Sequence, residues 1–415
     1  MKNKISSAVI KYAIIASLYS TGIGIWAGTI YLHMKKVGFN YSQINMFLVV
    51  FWIVTFIAEL PSGVIADTFG RMRVVALSSV IRGLGLFILA IDHGSFSVLM
   101  VSAVLTAIGD SLYSGAPDSW LVSKLQKESG TEISKIISVI SSITAVLSLV
   151  SGYIGANWLG RINLGLPLIW GAILLVMMTP IAMFIQRNED ATTVNMSEGN
   201  HLPNVLSLFE QLRETLITGL SEVRHNPVIL GYLAAFLPIV LIVTGPYNQW
   251  QLYFPTSGHL VNTGNVLIGV NLMGIVGSFI TQYLLPKSKV GQTIALMMLT
   301  FVNSLCVIFA VIMGKQLLAV VMFWMHVMVS STDEVSRWTV LQTQIKSDSR
   351  STIISLDNTL NAAVTVVALS LNGFISDRLG IGPSWIILGI IGAGLSICAY
   401  AAVLSRQIHA KHRGV

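Results

Sequence analysis

The chain has 415 residues, of which 54% are hydrophobic and only 10% charged, and its mean hydropathy is +0.75. That balance excludes a water-soluble globular protein, because each membrane span needs about 20 apolar residues to cross about 30 Å of hydrocarbon. Twelve such spans with short turns use nearly the whole chain, and no G-x-x-x-x-G-K-[ST] nucleotide loop is present. The formal charge of +7 is read as a topology signal, not as a nucleic-acid footprint.

At the N-terminus Lys2, Lys4 and Lys11 lead into an apolar run of spanning length with no small-residue cleavage site behind it, so a retained first helix is expected. Apolar runs bounded by charge or turn residues predict an all-α membrane protein with helices near 9–33, 43–65, 74–91, 97–123, 134–158, 165–186, 227–253, 261–285, 291–313, 316–345, 351–376 and 382–406. With both termini in the cytoplasm, inner segments carry 18 Lys and Arg and outer loops five, which sets the orientation by the positive-inside rule. The polar stretch between the sixth and seventh helices divides the chain into 1–187, a cytoplasmic linker 188–226, and 227–415. In that linker Val205, Leu208, Leu212, Leu216, Leu220 and Val223 recur near helical spacing, which predicts an amphipathic helix on the inner membrane surface. Gly152-Tyr153-Ile154 matches Gly373-Phe374-Ile375, and Ser119-Trp120 matches Arg337-Trp338, at a common offset near 220 residues. Two related six-helix bundles are the expected result.

Between the second and third helices lies Gly63-Val64-Ile65-Ala66-Asp67-Thr68-Phe69-Gly70-Arg71-Met72-Arg73, a charged turn in a chain nearly without charge. It resembles the G-x-L-A-D-r-x-G-r-k loop of the major facilitator superfamily, with Thr68 and Met72 departing from its usual basic residues. The resemblance implies a rocking two-bundle transporter in which Gly63, Asp67, Gly70 and Arg71 control opening at the cytoplasmic face. It also implies that Asp67 contacts a helix of the other half. Bacterial drug/proton antiporters look closest, but two of their markers are missing. Leu105 stands where their arginine precedes Gly109, and Ser151-Gly152-Tyr153-Ile154-Gly155-Ala156 lacks their proline.

Ionisable residues inside a span need partners, water or a function. In the fourth span Asp118 is expected to pair with Arg82 of the third, whereas Asp110 shows no partner in sequence. A cavity-facing carboxylate of that kind can exchange protons near neutral pH. In the tenth span Asp333, Glu334 and Arg337 occupy i, i+1 and i+4, so either acid can meet the arginine, and Asp357 of the eleventh span can compete for it. Asp110, Asp333 and Glu334 are thus the candidates for proton coupling, and Arg82, Asp118, Arg337 and Asp357 the structural charges. His326 reads as a packing histidine. Tyr19, Trp26, Tyr113, Tyr247, Asn248, Asn271 and Asn358 are the candidate cavity residues, since aromatic faces beside a carboxylate suit an amphipathic, often cationic molecule. Trp158, Tyr253 and Trp250 read instead as an interfacial aromatic belt.

Cys306 and Cys398 both fall in apolar spans, and no His, Cys or carboxylate set has metal-ligand spacing, so neither a metal site nor enzymatic activity is expected. The expectation is therefore a multi-pass protein of the bacterial cell membrane, surrounded by lipid and working as a monomer. It exports an amphipathic small molecule such as a drug or antibiotic, with the proton gradient as energy source and no cofactor. Export of an endogenous metabolite such as a metallophore, proton-coupled nutrient uptake, and a non-transporting receptor are the alternatives.

Overall fold

A computed structural model of the chain describes residues 6–126, 133–190, 217, 221, 223–224, 226–256, 262–313, 316–344 and 350–412. In chain order the helices are α1 (Ser7–Ala27), α2 (Ile30–Lys36), α3 (Tyr41–Phe69), α4 (Arg71–Ile91), α5 (Phe96–Tyr113), α6 (Ala116–Leu125), α7 (Ile133–Ile154) and α8 (Gly160–Ile162). They continue with α9 (Leu166–Asp190), α10 (Pro227–Phe236), α11 (Ile239–Thr256), α12 (Thr263–Leu284), α13 (Lys289–Ile312), α14 (Gln316–Gln344), α15 (Arg350–Leu379) and α16 (Ile381–His412). They compose twelve segments long and apolar enough to cross a membrane. The expected amphipathic linker helix lies outside the described residues.

Four expectations about helix continuity are corrected. The turn at 63–73 shrinks to one residue: α3 runs through Gly63 and Asp67 to Phe69, and Gly70 alone reverses the chain at φ 96° before α4 begins. A side chain is strained in that backbone region. The fourth span is broken, because α5 ends at Tyr113 and Gly115 takes a left-handed φ of 70°. Pro117 then sits in the first turn of α6, where its missing N–H costs no helix bond. The fifth span passes through a π-helical turn, Gly155–Leu159, into α8, and the seventh breaks between α10 and α11.

The chain groups into two compact units, the first from residues 1–39, 50–208 and 262–267, the second from 40–49, 209–261 and 268–415. In the first, α4 packs on α5 and α9, and α1 packs on α7 and α9. Small residues set these approaches: a Cβ on Gly24 would meet Ser148 and Ser151 of α7, and one on Gly155 would strike the Ile25 carbonyl. In the second, α16 packs against α10, α11, α13 and α15. Its interior is aromatic: Phe254, Phe323 and Trp385 are each 1% exposed, and Trp250 packs on Phe323. Trp250 is therefore a core residue, not part of an interfacial belt, because its ring meets this cluster. Trp158, at 66% exposure, does present its ring outward.

Candidate functional site

In the first unit the charges gather where α1, α4 and α5 converge. Gly109 makes the meeting of α4 and α5 possible: a Cβ there would lie 2.8 Å from the Arg82 backbone nitrogen and 2.9 Å from its Cα. Ser78 of α4 donates to the Gly109 carbonyl at 2.7 Å. This close crossing delivers the Arg82 guanidinium to Asp110, and the two form an ion pair. Tyr19 of α1 donates its hydroxyl hydrogen to Asp110 at 2.9 Å, and Arg82 in turn donates to the Tyr19 hydroxyl oxygen. The guanidinium also lies over the Tyr19 ring, 5.3 Å from its centre. The Tyr19 and Tyr113 rings stack in parallel with centroids 3.4 Å apart.

Burial in this cluster is uneven. The Arg82 side chain is 7% exposed and its Nε has no hydrogen-bond partner, whereas the Asp110 side chain is 33% exposed. The cation is therefore sequestered and its counter-ion is reachable. That arrangement ties the arginine to the carboxylate, since an uncompensated buried charge is strongly destabilising.

The expected pairing of Arg82 with Asp118 is corrected: Arg82 pairs with Asp110, and Asp118 accepts from the Tyr12 hydroxyl. The break at Ser114–Gly115 is the reason. A continuous helix would stack Asp118 two turns from Asp110, but the left-handed residue redirects α6 and leaves Asp118 exposed. Asp110, expected to be unpartnered, is instead the arginine's partner. Trp26 lies against Gly171 of α9, so its ring belongs to a helix interface as well as to the end of α1.

The second unit holds its own buried charge. Asp333 accepts from Arg337 at 2.9 Å within α14, while its other oxygen, Oδ1, is buried without a hydrogen-bond partner. Glu334, one residue on, is exposed. Arg337 lies over Phe236, 5.5 Å from the ring centre. Asp357 takes a hydrogen bond from Asn361 at 3.0 Å and forms no ion pair with Arg337, so the expected competition is not seen here. The shorter reach along one helix turn favours Asp333.

Tyr247 is 38% exposed and sets its ring edge against His326. His326 is fully buried: its Nδ1 meets Asn303 Oδ1 at 2.5 Å, and Asn303 Nδ2 donates to Ser330 Oγ at 3.0 Å. Asn248 donates to the Thr244 carbonyl at 2.8 Å, and Asn271 and Asn358 are exposed. The candidate residues thus fall into two sets, one in each unit.

At the turn, Asp67 is 68% exposed and accepts from Arg71 at 3.1 Å. Arg71 also donates to the Ser119 carbonyl and to Ser123 Oγ of α6. The turn is thereby tied to α6, a link that sequence reasoning missed, as it missed Tyr12. Both lie far along the chain from their partners. No cluster of three or more metal-ligating side chains occurs among the described residues.

The chain matches the family model of the Major Facilitator Superfamily over residues 12–369. It is 28% identical over 189 residues to the uncharacterized MFS-type transporter YxaM of Bacillus subtilis (strain 168). That match takes in 45% of this chain and 44% of the relative, so the chain spans under half the length of this curated relative. Among solved structures it resembles a point mutant of the nucleoside transporter NupG, with a TM-score of 0.71 and 15% identity over 96% of this chain and 99% of that one. It also resembles a bacterial homologue of the human lysosomal transporter Spinster, at TM-score 0.69 and 13% identity over 98% of each chain. A POT family transporter in complex with a thioalcohol-conjugated peptide matches at TM-score 0.67 and 14% identity over 96% of each. At these identities the solved structures establish the fold alone. With its family model matched along most of its length and twelve apolar helices, this multi-pass membrane protein belongs to the Major Facilitator Superfamily.

Proposed function

We propose that the protein is a secondary transporter that exchanges protons for an amphipathic small molecule carrying a positive charge, moving it out of the cell. The observation that carries this reading is the reachable Asp110 carboxylate, held by a sequestered arginine beside two stacked tyrosines. A cationic ligand and a proton compete for the same carboxylate: binding the cation requires the charged form, and protonation weakens its hold. With Tyr19 stacked on Tyr113 and covered by Arg82, it is the Tyr113 ring that supplies an aromatic surface favouring a cation over a neutral molecule of the same size. Arg82 stays charged throughout and keeps the carboxylate from drifting when the ligand leaves. In one half-cycle Asp110 takes a proton and releases the ligand. In the other it gives up the proton and binds the next ligand. Asp333, with one unsatisfied oxygen, is the second candidate for a proton, and Glu334 the third.

The similar solved structures are a nucleoside transporter, a Spinster homologue and a POT family transporter holding a conjugated peptide, so neutral and zwitterionic cargo belong in the same test. The purified protein in proteoliposomes, with a pH-sensitive dye inside, is offered ethidium, uridine and dialanine in turn. Proton movement driven by ethidium and lost in Asp110→Asn is the expected result. Proton movement driven only by uridine or dialanine would move the reading to uptake or export of a nutrient-like molecule. Unchanged ethidium coupling in Asp110→Asn would remove Asp110 from the mechanism.

A further inference from the structure

The second unit carries a chain of hydrogen bonds that starts in its core and ends at an exposed hydroxyl. His326 of α14 is fully buried, and its Nδ1 meets Asn303 Oδ1 of α13 at 2.5 Å. An amide oxygen only accepts, so the single proton of the neutral imidazole sits on Nδ1. Nε2 is left as a bare acceptor, buried with no hydrogen-bond partner. Asn303 is thereby turned so that its Nδ2 donates to Ser330 Oγ at 3.0 Å. Ser330 follows His326 by one turn of α14 and is 6% exposed.

The chain comes out at Tyr247 of α11, whose hydroxyl lies within hydrogen-bonding reach of Ser330 and Ser331. Ser330 Oγ takes the Asn303 hydrogen, so its own hydrogen has two acceptors to choose from. One is Asn303 Oδ1 at 3.3 Å, which His326 already holds at shorter distance; the other is the Tyr247 oxygen. With that oxygen accepting from the serines, the Tyr247 hydroxyl hydrogen is left to donate outward. The Tyr247 ring sets its edge on His326 with centroids 5.8 Å apart, and Phe323 stacks on the imidazole at 6.1 Å. His326 therefore fixes Tyr247 twice, through the ring and through the hydroxyl.

Glu334 completes this face. It is exposed, lies one turn after Ser330 and Ser331, and acts on Tyr247 through its charge without a hydrogen bond between them. Behind the serines α12 approaches at backbone distance: a Cβ on Gly277 would lie 2.1 Å from the Met328 carbonyl oxygen and 3.0 Å from Ser331 Cβ. The result is a directed donor beside a carboxylate acceptor. An ammonium group can use only the acceptor, and an ester or ketone only the donor. An amide uses both, its N–H on the carboxylate and its carbonyl on the phenol.

We propose that Tyr247 and Glu334 form a subsite within the second unit for an amide group on the cargo, with His326 as its positioning residue. The inference deepens the transporter reading and rests on it for the cargo, an amphipathic cation.

Procainamide and procaine are the probes, because these amphipathic cations differ only in an amide N–H replaced by an ester oxygen. Their dissociation constants are measured by calorimetry on the full chain purified in detergent. Procainamide should bind roughly tenfold tighter than procaine, as expected for one hydrogen bond to a carboxylate. Glu334→Ala should bring the two to equal affinity. Tyr247→Phe should weaken both by roughly fivefold and keep their ratio. His326→Leu should weaken both as much as Tyr247→Phe does and add little in the Tyr247→Phe background. His326→Asn, which keeps a donor near the place of Nδ1, should restore most of the loss. Equal affinities in the unaltered protein, no saturable procainamide binding, or a ratio that survives Glu334→Ala would overturn the subsite. Full additivity of His326→Leu with Tyr247→Phe would reduce His326 to a packing residue. If His326→Leu does not purify folded, Ser330→Ala, which removes one hydroxyl, takes its place in the cycle. The ratio is blind to the amine that both probes share, and ethidium has no amide. Failure of this experiment therefore leaves the Asp110 reading standing, and failure of ethidium-driven proton movement leaves the ratio standing.

Discussion

The ion pair of Arg82 with Asp110 shows how one residue's burial governs another's role. Arg82 is almost wholly enclosed, so its charge is best stabilised while the carboxylate beside it is ionised, and removing that carboxyl group altogether strands it. Asp110→Leu alone should therefore cost on the order of 2–4 kcal/mol, less than a fully buried pair because a third of the Asp110 side chain is exposed. The double variant Arg82→Met with Asp110→Leu should cost less than the sum of its parts, since it removes the stranded charge as well. Thermal unfolding of the four proteins in detergent measures this cycle, and strict additivity would show that the two side chains do not interact. Sequence alone supplied both residues but joined Arg82 to the wrong acid. The choice between Asp110 and Asp118 depends on a backbone break that one glycine makes.

At the scale of elements, short helices and one-residue turns carry more of the architecture than apolar runs suggest. α2 is an example. Its His33 is 4% exposed, and Nε2 meets the Leu89 carbonyl at 3.0 Å, which pins α2 to the end of α4. Burial pushes the His33 imidazole below its ordinary value of 6.5; the Leu89 carbonyl and Asp92 pull it back, and Lys36 pushes it further down. The folded pKa is thus lower than the unfolded one, so as pH falls the unfolded chain takes up the proton first. Stability is full above about pH 6.5 and is lost below it, with a slope of at most about 1.4 kcal/mol per pH unit. Melting temperature should fall between about pH 7.5 and about pH 5.5, and fall less in His33→Gln, which keeps a donor for Leu89. Equal falls in the two proteins would assign the pH dependence to other groups.

For the whole molecule, the charge asymmetry of the loops predicts the topology directly. With 18 Lys and Arg on one side and five on the other, both termini should face the cytoplasm. A green fluorescent protein fused after Val415 should fluoresce in bacterial cells, and an alkaline phosphatase fused there should stay inactive. An active phosphatase would invert the assignment and exchange the two faces of the transport cycle. The internal offset near 220 residues was legible in Gly152-Tyr153-Ile154 and Gly373-Phe374-Ile375, and those same segments border the π-helical turn with Asn157 and the helix end with Asp377. What the polar residues beside those segments hold was not legible, because the α3 amides that donate to Asp377 lie more than 330 positions from it in the chain.

By itself the sequence determined the twelve apolar helices and the family, because hydrophobic length and a glycine-spaced charged turn are local properties that solvent and lipid read directly. Only the tertiary structure decided which charges meet. Arg82 reaches Asp110 because Gly109 lets two helices cross at backbone distance, and Asp118 turns to Tyr12 because Gly115 bends the chain between the acids. Asp333 keeps Arg337 because one helical turn is a shorter reach than a neighbouring helix. Ion pairs in a membrane protein are settled by angstroms of helix approach, and spacing along the chain does not report those distances.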